Sequence, residues 1–125
     1  MPRTAINVLE LNGPSGSGSA TPSWSNGDQP NQMYWLARDG DILVMRNGGA
    51  TPRQVDVYGP IDEMGRPVDA DSKSTFTLAA QGSANDKRYW GPFLTGGWVQ
   101  SGADSGRIHV DVAHSDVKLV VLRRR

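Results

Sequence analysis

Residues 107–122 read Arg-Ile-His-Val-Asp-Val-Ala-His-Ser-Asp-Val-Lys-Leu-Val-Val-Leu, and this stretch decides the fold. From Arg107 to Val112 polar and apolar residues alternate. Successive side chains of a strand point to opposite faces, so Ile108, Val110 and Val112 share one side. A short turn at Ala113–Asp116 leads into Val117–Leu122, an almost continuous β-branched and aliphatic run. Working outward, Tyr89–Leu94 and Trp98–Gln100 are short extended segments set off by Gly, Ser and Asp. Residues 89–125 therefore read as a β-meander closing a small all-β domain. Few residues there are suited to catalysis, which points to a protein that acts through shape and surface.

Further upstream the same grammar recurs. Thr4–Leu11 reads as a first strand, and Asn12–Asn31 as a flexible Gly/Ser/Pro loop containing the turn dipeptide Asn26-Gly27. Met33–Ala37, Ile42–Arg46, Arg53–Tyr58 and Thr75–Ala79 are strand-like, and Asn47-Gly48-Gly49 is a strong turn signal. Gly59–Ser74 is a long polar connection, and Gln81–Asp86 a turn. About eight strands at short, turn-bounded intervals predict one domain over residues 1–125. The expected architecture is an antiparallel β-sandwich or a jelly-roll-like barrel with long loops.

Composition narrows the function classes. The chain has 125 residues, no cysteine, and 13 basic against 13 acidic residues. One core fits this length without disulfide staples. A neutral chain argues against nucleic-acid binding as the main task. Charge is uneven, however: Lys118, Arg123, Arg124 and Arg125 crowd the last nine residues, which contain no acid. Arg123–Arg125 could touch an acidic partner or simply keep a terminal strand from pairing with other chains. No apolar run reaches 18 residues and no signal-peptide pattern opens the chain, so the expectation is a protein without a membrane span.

Motifs that resemble chemistry each fail on a named residue. Gly13 to Ala20 has the glycine spacing of a phosphate loop, but Ser19 and Ala20 stand where the lysine and the magnesium-binding hydroxyl belong. His109 with Asp111, and His114 with Asp116, have cation-ligand character. Yet the first pair lies opposite the apolar face of its strand, an exposed position, and the second lies in a turn. Asp69, Asp71 and Lys73 start like a calcium loop without its glycine or its glutamate. Asp62, Glu63 and Asp71 are the acids a hydrolase would need, but they sit in a polar loop. The reading is a non-enzyme with no cofactor and no metal. Of the four tryptophans, Trp35 reads as core; Trp24, in the polar loop, and Trp98, after Gly96-Gly97, read as interaction residues.

Trp90-Gly91-Pro92-Phe93, Gly106–Asp111 and the closing Val117–Arg123 strand resemble the small β-sandwich decoration, or cement, proteins of tailed bacteriophage heads. An opening strand such as Ala5–Leu11 followed by a Gly/Ser/Pro loop is similar to that family, while Gly59–Ser74 is longer than its pattern. The resemblance implies a virion structural protein made in the host cytoplasm and placed on the capsid surface. It would bind the major capsid protein, often as a trimer, and stabilise the head. The competing expectation is a carbohydrate- or receptor-binding sandwich of a tail or surface protein that uses exposed tryptophans.

Overall fold

A computed structural model describes residues 3–11, 23–58, 73–93, 98–99 and 105–124. Ten strands form within them: β1 (Thr4–Ala5), β2 (Val8–Leu11), β3 (Ser25–Asn26), β4 (Met33–Leu36), β5 (Ile42–Asn47), β6 (Arg53–Tyr58), β7 (Lys73–Leu78), β8 (Lys87–Trp90), β9 (Arg107–Val112) and β10 (Val117–Arg124). One sheet has the order β1-β4-β9-β6-β7; the other runs β2-β10-β5-β8, with β3 also paired to β10. The fold is all-β, a sandwich of two open sheets.

The alternation read from the sequence sets the interior. Met33 and Trp35 on β4, Val55 and Val57 on β6, Leu78 on β7, and Ile108, Val110 and Val112 on β9 face Leu43 and Met45 on β5 and Val117, Leu119 and Val121 on β10. All are fully or almost fully buried. Each buried side chain of this size contributes about 1.5–3 kcal/mol on leaving water, so the two inward faces hold the sheets together.

The closing segment is not a meander. β9 is central in the first sheet and β10 in the second, so the Ala113–Asp116 turn crosses between the layers. Sheets pack about 10 Å apart, a distance four extended residues can span. Both strands are rich in apolar side chains because both occupy the middle of a sheet. Gly27 lies under this turn: its N–H donates to Val117 O (2.7 Å), and a Cβ there would stand 2.7 Å from His114 O.

Three further expectations are corrected. Thr4–Leu11 is two strands, because the chain changes sheets at Ile6-Asn7. Ile6 N–H donates to Tyr34 O (2.8 Å) in one sheet, and Asn7 O accepts from Val121 N–H (2.9 Å) in the other. β1 therefore runs parallel to β4, and β2 parallel to β10, making both sheets mixed rather than antiparallel. Third, the 12–31 segment is not loop throughout. Ser25-Asn26 forms β3, on the β10 edge next to β2, and Asn7 bridges the step by donating its backbone N–H to Ser25 Oγ and its side-chain amide to Ser23 O. The phosphate-loop-like Gly13–Ala20, and Asp62, Glu63, Asp69 and Asp71, lie outside the described residues.

Candidate functional site

Each end of the sandwich is fastened by one buried polar residue, and these two residues set the geometry of the open side. At one end Asp41, with no exposed surface, accepts four hydrogen bonds. They come from Trp35 Nε1 (3.0 Å), Arg38 N–H (2.9 Å), Arg123 Nε (3.0 Å) and Arg123 Nη2 (2.9 Å). Burial pushes the Asp41 carboxyl up, but the Arg123, Arg38 and Trp35 hydrogen bonds and the Arg123 charge outweigh it and hold the group below its usual value. Arg123 also donates to Leu36 O (2.7 Å), tying β10 to the other sheet. At the opposite end Asn47 donates to Thr51 O (2.7 Å) and Ala79 O (3.1 Å), and accepts from Gly49 N–H (2.9 Å). That side chain fixes the start of the Ala79–Asp86 crossing from β7 to β8.

β7 and β8 are the last strands of their sheets on the same side of the sandwich. Strand parity points Phe76 inward from β7, and Arg88 and Trp90 inward from β8, where Trp90 lies opposite Leu43 and Arg88 opposite Met45. The two edges thus meet over an aromatic cluster. Phe76 meets Trp90 edge-on at 5.0 Å, and Trp90 meets Trp98 at 5.8 Å. Phe93 joins Trp98 at 5.2 Å to buried Trp35 at 5.4 Å. The Arg88 guanidinium lies 4.6 Å over the Phe76 ring. A groove of about 350 Å³ runs along this seam, lined by Ser74, Thr75, Phe76, Arg88, Tyr89 and Trp90. That is within the lower range of sites that take small ligands or single side chains. Its rim is exposed: Lys87 faces outward, Arg88 stays exposed at the border of the inward face, and Tyr89 retains 70% of its surface.

The residues singled out from the sequence have other positions. Trp98 is half-buried inside the aromatic cluster, against Trp90 and Phe93. Trp24 is half-buried, one residue before β3, with the Arg46 guanidinium 4.9 Å over its ring. Arg123 is turned inward as the partner of Asp41, because it continues the parity of Val117, Leu119 and Val121. Its guanidinium is therefore committed to the fold rather than offered to a partner. Arg124 pairs with Leu11 at the end of the parallel ladder, and Arg125 lies outside the described residues.

His109 is buried, not exposed. It stands in a cross-strand row between Tyr34 and Tyr58 on the outer face of its sheet, and these bulky neighbours shield it. In the same face Arg3 holds Asp111 (2.6 Å). Burial, then the charges of Asp111 and Asp56 and a hydrogen bond to Asp111, push the Tyr58 hydroxyl up to about 12. In the β9–β10 turn, the Asp116 carboxylate accepts from Arg53 (3.1 Å) while its backbone N–H donates to His114 Nδ1 (3.0 Å). Among the described residues no three His, Asp or Glu side chains gather in a metal-binding cluster.

Sequence reading missed Phe76, Arg88 and Tyr89 as a site. The available signal was Lys87-Arg88-Tyr89-Trp90, two cations followed by two aromatics in a short segment, with Arg88 and Trp90 on one face by parity. Comparison with known proteins finds no matching family model, no matching curated protein and no matching solved structure.

Proposed function

We propose that this protein is a virion structural protein of the decoration type. In this reading it binds the major capsid protein on the outside of a phage head, as a homo-oligomer with a trimer favoured, and stabilises the shell. The observation that carries the reading is the seam. A sandwich locked at both ends by buried polar residues leaves two neighbouring strand edges, with no described strand beyond either, beside an exposed aromatic and cationic rim. Strand edges are templates for other polypeptide chains, and exposed Tyr and Arg are the residue types that anchor protein interfaces. The motifs behind the resemblance build the frame around that seam. Phe93 of the Trp90–Phe93 turn enters the core, and β9 and β10 are the central strands of the two sheets. Many copies on one shell would convert modest individual contacts into firm attachment.

Co-sedimentation with undecorated heads tests the proposal. The protein should pellet with heads at a fixed stoichiometry and raise their resistance to heat. A protein that stays in the supernatant and instead binds soluble glycans would replace this reading with that of a carbohydrate-binding module.

A further inference from the structure

The proposed function leaves the partner's chemistry open, and the β8 edge supplies it. One side of β8 pairs with β5, and no described strand pairs with the other. Lys87, Arg88 and Tyr89 are exposed there. The Arg88 guanidinium carbon lies 4.6 Å from the centre of the Phe76 ring, and among the described residues no carboxylate pairs with it. A guanidinium held over an aromatic ring still has its planar fork of N–H donors, which takes a carboxylate bidentately.

We infer that β8 docks an extended acidic segment of a partner polypeptide, added as a further antiparallel strand. This rests on the decoration reading for the partner's identity, not for its chemistry. Register sets the sequence the segment needs. Side chains opposite Trp90 and Arg88 project onto the inner face over the groove; those opposite Tyr89 and Lys87 project outward. An antiparallel segment passes Trp90 first. It therefore reads apolar–any–acidic–acidic from its N-terminus: an aliphatic side chain against Trp90 and Phe76, a carboxylate on Arg88, and a second carboxylate beside Lys87. A peptide is favoured over an acidic sugar because the side of β8 that no described strand pairs with offers backbone donors and acceptors that a polypeptide backbone satisfies in register.

The test uses the full chain and the blocked hexapeptide Thr-Ile-Thr-Glu-Asp-Thr, followed by tryptophan fluorescence and calorimetry. Saturable binding is expected. Replacing Glu and Asp by Gln and Asn in the peptide should weaken it about tenfold or more, as loss of a charge-assisted hydrogen bond implies. Arg88→Met should do the same, with Arg88→Lys in between. Methylating the peptide backbone nitrogens that face β8 should abolish binding with the charges intact. Equal binding of acidic and neutral peptides, no effect of Arg88→Met in a variant with wild-type circular dichroism, or indifference to backbone methylation would overturn the inference. Binding of polygalacturonate but not of the peptide would overturn it too, in favour of an acidic-glycan site. Peptide binding without head binding would remove the decoration reading and leave this one standing, and head binding unchanged by Arg88→Met would do the reverse.

Discussion

Replacing Arg123 by Met keeps most of the side chain's length and removes its charge, and the consequences can be worked out from Asp41. The carboxylate has no exposed surface and accepts four hydrogen bonds, two of them from Arg123. Removing one partner of a buried pair leaves an uncompensated charge, which costs about 3–5 kcal/mol. That is a large share of the roughly 5–15 kcal/mol that holds a domain folded, and for this chain length it lowers Tm by roughly 10–20 °C. The pH dependence separates this cause from simple loss of packing. In the wild type the Asp41 carboxyl is held below its usual 3.8. Its contribution is therefore present above the unfolded-state value and is lost as pH falls through the lower folded-state value. In the variant burial is no longer outweighed and the carboxyl moves up, so the folded state takes a proton where the unfolded chain is ionised. The deficit of Arg123→Met should then narrow as pH falls from neutral toward 4. Urea unfolding across that range measures it, and Asp41→Asn combined with Arg123→Met should recover part of the loss. A deficit below about 1 kcal/mol, or one equal at both ends of the range, would refute the buried-pair argument.

Other expectations follow from the same frame. Asn47→Ala strands Ala79 O, Thr51 O and Gly49 N–H and should cost about 2–3 kcal/mol by chemical unfolding. Phe93→Ala opens the centre of the aromatic cluster, at about 3–5 kcal/mol, with loss of near-ultraviolet circular dichroism from its tryptophan neighbours. Gly91 has φ +134°, and a Cβ there would stand 2.7 Å from Asp41 O, so Gly91→Ala should destabilise by more than about 1 kcal/mol. Ultraviolet difference titration should show one tyrosine ionising near pH 12, an inflection that Tyr58→Phe removes.

Much of the fold was legible because strand parity carries it. Arg53–Tyr58 and Arg107–Val112 are strands with those bounds, and the inward residues of β4, β5, β6, β9 and β10 follow from alternation. What parity does not carry is which sheet a strand joins. A turn as short as Ala113–Asp116 can close a hairpin or cross between layers, and Val117–Leu122 reads the same either way. Nor does composition distinguish Thr4–Leu11 as one strand from two that switch sheets at Ile6-Asn7. Arg123 was misplaced for a related reason: its charge suggests a surface tail, while its parity with Val117, Leu119 and Val121 points it at Asp41, itself in step with Leu43 and Met45. The seam was hidden because Phe76 and Trp90 are far apart in sequence and become neighbours only when β7 and β8 end their sheets on one side.

Hydrogen exchange of the head-bound protein tests the central claim most directly. The account predicts that binding slows exchange at the amides of Lys87–Trp90 while Arg88→Met weakens both binding and protection. Protection confined to Trp24–Asn26, with the β8 amides unchanged, would contradict it.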